Sequence, residues 1–143
     1  MPPAYDPDNI FAKILRGEAP CLKLFENDDA LAFMDVMPRA PGHLLVIPKA
    51  AARNLFDIEP QALGLLAPVV QKLARAAKAG LGADGVSVFQ FNEAAGGQVV
   101  FHLHVHIIPR FAGDKLKPPG GPMANVADLE PIAAKIRAAL DSV

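Results

Sequence analysis

Apolar side chains recur at helical spacing in three stretches of the chain. Near the N-terminus the pattern covers about residues 9–16, preceded by Asp8 as a capping residue and followed by Gly17 as a stop. A longer amphipathic pattern covers about residues 60–79, and a third covers residues 126–143. We therefore predict three helices, one at each end of the chain and one in the middle.

Between these stretches, short apolar or alternating runs predict strands, separated by turn residues. The polar segment Glu26–Asp29 has the composition of a turn and predicts a hairpin. Pro109 is expected to end the last strand. Helices and strands in this order favour an α+β fold, a mostly antiparallel sheet flanked by helices, in a single domain over residues 1–143. The predicted strands cover residues 22–25, 30–34, 43–48, 85–92 and 99–108.

Composition narrows the classes of partner. A formal net charge of −1 gives no excess of positive charge for nucleic acid or an anionic membrane. The N-terminus lacks the pattern of a secretory signal, and the longest apolar run, residues 62–70, is too short for a membrane span. The single Cys21 allows no internal disulfide, so we expect a cytoplasmic protein. A mean hydropathy of +0.25 favours a buried interface in a homodimer.

Three of the four histidines, His102, His104 and His106, alternate with apolar residues in one predicted strand. Side chains of a strand alternate between faces, so the three imidazoles are expected on one face. The apolar residues on the other face would belong to the core. Such clustering argues against three incidental histidines.

A metal site and a nucleophilic site are the two chemical interpretations. Neighbouring same-face histidines lie about 6.6 Å apart along a strand, so two could chelate zinc, but a third ligand such as His43 would have to come from elsewhere. A neutral imidazole, with an unperturbed pKa of about 6.5, is an available nucleophile at physiological pH. We favour the nucleophile and expect no metal or cofactor.

The segment His102–Ile108 resembles the signature of the histidine triad (HIT) family, in which three histidines alternate with apolar residues, at every position. The resemblance extends to Ile10–Glu18, to Leu31–Pro38 and to Pro41–Lys49. It implies a homodimer whose two sheets join across the interface. It also implies hydrolysis or transfer at the α-phosphate of a nucleotide through a covalent nucleotidyl-histidine.

The resemblance assigns a role to each histidine. His104 is the expected nucleophile, and His102 is expected near the scissile bond and the leaving group. His106 and Asn92 would contact phosphate oxygens. His43 would support the histidine network, a role close to that of an ordinary structural histidine.

The same resemblance implies a purine nucleotide substrate. Asp35 would accept hydrogen bonds from the ribose hydroxyls. The turn that contains Gly97, Gln98 and Val99 would lie against the phosphate, where backbone amides could assist. An apolar slot would hold the base, formed by Ile10, Phe11, Ile14, Phe33, Val36 and Leu45.

Several positions distinguish branches of the family. Asn9, Ala12 and Ala51 stand where many bacterial relatives have zinc ligands, so we predict no zinc. Val99 replaces a frequent Ser or Thr, and the chain has no tryptophan in its C-terminal tail. A histidine at 106 argues against the nucleotidyltransferase branch, and Asn92 favours Hint-like enzymes.

The sequence thus predicts a hydrolase of purine nucleotide conjugates such as nucleoside phosphoramidates. Three alternatives remain open at this point. They are a dinucleoside polyphosphate hydrolase, a nucleotide-binding module with vestigial catalysis, and a metal-dependent hydrolase.

Overall fold

Five strands form one antiparallel sheet in the order β1-β2-β3-β5-β4, and helices flank it. The α+β architecture predicted from the sequence is confirmed. A computed structural model describes residues 3–143, so the first two residues of the predicted domain lie outside the described residues. The elements are α1 (Ile10–Leu15), β1 (Lys23–Glu26), β2 (Ala30–Met34), β3 (Leu44–Pro48), α2 (Pro60–Leu81), β4 (Gly85–Phe89), β5 (Val105–Arg110) and α3 (Val126–Leu140).

The helices match their predicted positions, with corrections at their ends. Asn9, and not Asp8, caps α1, because its side-chain oxygen accepts the Ala12 N–H at 2.9 Å. Helix α2 begins at Pro60 as predicted and ends at Leu81, where Gly82 adopts the left-handed conformation (φ 64°). No helix within residues 3–143 combines the length and the apolar character that a membrane span needs.

The two faces of the sheet have different roles. Alternate strand residues such as Met34, Leu44 and Ile107 form the main core with α2 and α3. The opposite face carries a smaller apolar cluster under α1: Phe11, Leu31, Phe33, Leu45 and Ile47. Because Leu45 of β3 pairs with His106 of β5, His106 lies on this second face.

The histidine segment is less regular than its alternation predicts. The last strand covers Val105–Arg110, not residues 99–108, and it includes Pro109. Before it the chain leaves the sheet, because the Leu103 N–H donates to the carbonyl of Ala52 at 2.8 Å. Only His106 of the triad lies within the strand. The apolar partners Leu103, Val105 and Ile107 still pack in the main core, as the alternation predicts.

Candidate active site

A chain of hydrogen bonds fixes the proton positions on two imidazoles. The backbone N–H of Arg39 donates to Nδ1 of His43 at 3.0 Å, so the ring proton of His43 resides on Nε2. That proton is donated to Nδ1 of His106, 2.9 Å away. His106 therefore carries its own proton on Nε2, and this N–H is a free donor within the described part of the chain.

His104 has the opposite arrangement. Its Nδ1 lies 2.7 Å from the carbonyl oxygen of His102, which can only accept, so Nδ1 carries the proton. The lone pair is consequently on Nε2. Phe11 and His106 stand edge-on to the ring, each with its centroid 4.9 Å away. The arrangement presents one basic imidazole nitrogen beside the N–H of His106.

Burial keeps these rings neutral. Loss of solvation is the largest cause that lowers the pKa of His43 to about 4 and that of His106 to about 3, with smaller contributions from the charge of Arg39 and from neighbouring imidazoles. Burial also lowers the pKa of His104 and of His102. The contact of 3.4 Å between Nε2 of His43 and Oδ2 of Asp35 is therefore not an ion pair at neutral pH.

His102 lies behind His104, with both ring nitrogens occupied. Its Nε2 donates to the carbonyl of Pro48 at 2.9 Å, and its Nδ1 accepts from the hydroxyl of Tyr5 at 2.7 Å. The side chain is fully buried. His102 orients His104 through its carbonyl oxygen, and its expected place near the leaving group stays a prediction. No sequence pattern around Tyr5 predicts this contact with His102, 97 residues later in the chain.

Asp35 lies beside the His43–His106 pair, with Oδ2 at 3.4 Å from Nε2 of His43. Its Oδ1 accepts the Met37 N–H at 2.8 Å, which favours the carboxylate, while burial raises its pKa. Asp35, His43 and His106 bring possible ligand atoms within 4.8 Å of one another. A metal bound by all three would have to disrupt the network, since the bond between the two rings uses one nitrogen of each.

Asn92, which the resemblance implies as a phosphate contact, has one donor left. Its Oδ1 accepts from the Leu55 N–H and from the side chain of Gln90, both at 2.9 Å. Its Nδ2 donates one hydrogen to Oε1 of Gln90 at 2.8 Å. An amide nitrogen has two hydrogens, so the second remains available for a ligand.

The glycine turn before the triad uses its own amides. The N–H groups of Gly96 and Gln98 donate to the carbonyl of Glu93, and that of Gly97 donates to Ala94. These three amides therefore offer nothing to a phosphate, contrary to expectation. The N–H of Val99, the residue that follows these amides, has no acceptor within the described chain, and Val99 is 83% exposed.

Gln98 uses its side chain within the protein, and the place of its turn against a phosphate stays a prediction. Its buried side chain donates to the carbonyls of Arg53 and Val100 and accepts from Asn54 and from the Glu93 N–H. Glu93, at a positive φ of 65°, completes this network through a two-pronged ion pair with Arg53. The network anchors the loop that carries Asn92 and Val99, and sequence reasoning missed it.

The predicted base slot is brought together in part. Phe11, Phe33 and Leu45 are buried in the cluster beneath α1, and Ile14 packs against it. Val36 packs against the main core, and Ile10 is 47% exposed at the edge of α1. Four of the six predicted slot residues are therefore brought together in this cluster or against it. Phe11 connects the cluster to His104, because the two rings are in edge contact.

The fold and the site together define a small α+β protein that presents a neutral imidazole nitrogen beside hydrogen-bond donors. The profile of the HIT domain matches residues 16–113. The chain belongs to the HIT family, as the histidine alternation indicated.

Named relatives include enzymes. The chain is 41% identical over 109 residues to the adenylylsulfatase HINT3 of Arabidopsis thaliana, covering 76% of this chain but only 55% of that protein. It is 39% identical over 101 residues to the adenosine 5′-monophosphoramidase hnt1 of Schizosaccharomyces pombe, covering 71% of this chain and 73% of that one. At the family level the relatives support a nucleotide hydrolase.

A solved structure shows the same fold over nearly the whole chain. The crystal structure of a Hit-like protein involved in cell-cycle regulation from Bartonella henselae is 51% identical, with a TM-score of 0.89. The alignment covers 95% of this chain and 99% of that one. The shared architecture therefore includes the third helix, which lies beyond the residues that the family profile matches.

Proposed function

We propose that this protein hydrolyses purine nucleotide conjugates at the α-phosphate through a covalent nucleotidyl-His104 intermediate. The observation that carries the proposal is the bond from Nδ1 of His104 to the carbonyl of His102, which leaves a lone pair on Nε2. A nucleophile that is neutral, positioned and only 7% exposed meets the needs of covalent catalysis.

In the first step, Nε2 of His104 attacks the α-phosphorus, a nitrogen–phosphorus bond forms, and the bond to the leaving group breaks. The leaving group departs with the bonding electrons and takes up a proton from solvent. A water molecule then attacks the same phosphorus and gives up a proton to solvent, the nitrogen–phosphorus bond breaks, and neutral His104 and the nucleoside monophosphate are released. The Nε2–H of His106, which the bond from His43 leaves free, would donate to the phosphate oxygen on which negative charge develops.

The nucleoside would lie along the second face of the sheet. Asp35 retains acceptor capacity on Oδ2 for ribose hydroxyls, because its recorded hydrogen bond uses Oδ1. Phe11, Phe33 and Leu45 offer apolar and aromatic surface for a purine. The free amide hydrogen of Asn92 and the N–H of Val99 would reach the phosphate.

Substrate comparison tests the proposal. We expect AMP release from an adenosine 5′-phosphoramidate in chelator, at a higher kcat/KM than from diadenosine polyphosphates. Adenosine 5′-phosphosulfate belongs in the same panel, because one relative is named an adenylylsulfatase. Faster cleavage of the diadenosine polyphosphates would instead identify a dinucleoside polyphosphate hydrolase. Tight AMP binding without turnover would favour the binding module, and activity restored only by zinc would favour metal-dependent hydrolysis.

The pH profile should show that the histidines act as neutral rings. Because burial lowers the pKa of His104, the lone pair persists below the ordinary value of 6.5 and is lost only as pH falls through the lower folded-state pKa. We expect the acid limb of kcat/KM to have an apparent pKa below 6.5. An acid limb centred at or above that value would contradict the assignment. Unfolding temperatures recorded at each pH provide the control.

The same lowered pKa values also affect stability. The unfolded chain binds protons on its histidines below about pH 6.5, whereas buried His43 binds one only near pH 4, so the folded state loses stability as pH falls from 6.5 to about 4.

We also propose a homodimer that forms through β4. The two edges of the sheet differ, since β1 carries Lys23 and Glu26 as an exposed ion pair whereas β4 (Gly85–Phe89) has no charged residue. Charged edges discourage strand pairing and uncharged ones permit it. Val88, 50% exposed on β4, is the position to test. We expect Val88→Lys to convert a dimer to a monomer in light scattering, with Ala134→Lys, which adds the same charge at an exposed position of α3, as the control. A wild-type monomer at micromolar concentration would contradict the proposal.

A further inference from the structure

A cavity outside the histidine triad lies between the loop before His43 and the end of β5 with the segment that follows it. It has a volume of about 260 Å³. Four cationic residues, Arg39, Arg110, Lys115 and Lys117, line it. The cavity contains none of the triad residues, so its chemistry is separate from that of His104.

The wall of this cavity is held by paired hydrogen bonds. The N–H of Lys117 donates to the carbonyl of Arg39 at 2.9 Å, and Nε of Arg39 donates to the carbonyl of Lys117 at 2.8 Å. On the other side, Nη1 of Arg110 donates to the hydroxyl of Ser87 at 3.2 Å. Two guanidinium groups are thus positioned by neutral partners and keep further N–H donors for a ligand.

The charge of the cavity is strongly unbalanced. One carboxylate, that of Asp114, lines it beside the four cations, which leaves three positive charges in excess. In the part of the chain that the structure describes, none of these cations has a carboxylate oxygen within ion-pairing distance. This excess is local, because the whole chain has a net charge of −1.

We propose that this cavity binds a phosphate-bearing anion. Arginine presents a planar set of donors that matches phosphate oxygens, and the lysines add point charges. The volume lies below the range of about 300–1,000 Å³ that is common for pockets of drug-sized ligands, so the occupant is a small ion or one end of a longer phosphate chain. A free phosphate ion and the end of a nucleotide's phosphate chain would be bound through the same contacts, and the binding measurements below distinguish them.

The cavity is coupled to the active site through Arg39. The same residue lines the cavity, bonds Lys117 through its guanidinium and donates its backbone N–H to Nδ1 of His43 at 3.0 Å. A ligand held by the side chain would therefore stabilise the loop that orients His43 and, through it, His106. The inference does not rest on catalysis by His104, since it concerns binding alone.

The test is calorimetric titration of the full chain with inorganic pyrophosphate at low ionic strength. We compare the wild type with Lys115→Gln/Lys117→Gln and with a control pair of the same charge change on exposed helical positions, Lys78→Gln/Lys135→Gln. Loss of two cations from the cavity should weaken binding about tenfold. The control pair should bind as the wild type does. No pyrophosphate binding at millimolar concentration, or equal weakening in both pairs, would overturn the proposal.

Nucleotide titrations identify the source of the anion. They are done in a His104→Ala background, so that nothing is turned over. If the cavity takes the end of a substrate's phosphate chain, the lysine pair weakens binding of a nucleoside triphosphate but not of the monophosphate. If it takes a separate phosphate ion, only pyrophosphate binding changes. Unfolding temperatures equal to that of the wild type confirm that both pairs remain folded.

Discussion

Replacing His104 by alanine should lower kcat for AMP release from an adenosine 5′-phosphoramidate by about 10³-fold or more. The substitution removes the one imidazole nitrogen in the triad that both lacks a proton and lacks a hydrogen-bond partner within the described residues. No other nucleophile of the triad can replace it. His102 is fully buried with both nitrogens bonded, and His106 presents an N–H to the site. The rate should be followed with steady-state kinetics in chelator.

A control must separate lost chemistry from lost structure. The variant should bind AMP with an affinity close to that of the wild type, because Asp35 and the apolar cluster around Phe11 and Phe33 are unchanged. Its unfolding temperature should fall only modestly. Turnover by His104→Ala equal to that of the wild type would contradict the assignment of the nucleophile.

Replacing His106 by alanine should lower kcat by about 10²–10³-fold, the usual effect of losing one preorganised donor to a developing oxyanion. The ring centroid of His106 lies 4.9 Å from that of His104. Because Nδ1 of His106 accepts the hydrogen bond from His43, its N–H is on Nε2 and remains free for the substrate. Because this donor acts on charge that appears in the transition state, kcat and kcat/KM should fall together. Steady-state kinetics on the same phosphoramidate measures both constants.

The matched variant is His106→Gln, which retains an amide N–H donor at a similar distance from the backbone. It should recover part of the rate that His106→Ala loses. A rise in KM with unchanged kcat would instead mean that His106 only binds the substrate. Equal losses in the two variants would mean that the ring, and not its N–H, is what the site requires.

Local patterns in the sequence were sufficient to predict much of this fold. The helix from Pro60 follows from periodic apolar residues with a proline at its start, and Leu66 and Leu73 of that pattern are buried as expected. The alternation around His104 correctly placed Leu103 and Val105 in the core. These successes share one physical basis, since periodicity reports which side of an element faces the core.

The irregular parts of the site depend on partners that lie far away in sequence. The segment before β5 leaves the sheet because Leu103 pairs with Ala52 and because the ring of His104 bonds to a backbone carbonyl. Gln98 belongs to the turn expected against the phosphate, and its side chain bonds Arg53 and Asn54, more than 40 residues earlier. No spacing rule reveals such contacts.

Family resemblance supplied what local patterns could not. It placed Asp35, Asn92 and the base slot near the triad, and the geometry brings Asp35 and Phe11 to the histidines. It did not reveal that the amides of Gly96 and Gly97 are consumed within their own turn. Those details depend on the positive φ of Glu93, which is rare for a residue with a side chain.

The most direct test of the account is the capture of the covalent intermediate on His104. The wild type should be mixed rapidly with an adenosine 5′-phosphoramidate and quenched in base, where the phosphorus–nitrogen bond to histidine survives. Peptide mass spectrometry should then find one adenylyl group on the peptide that contains His104, and none in His104→Ala. Rapid turnover with no adduct, or an adduct on another residue, would contradict nucleophilic catalysis by His104.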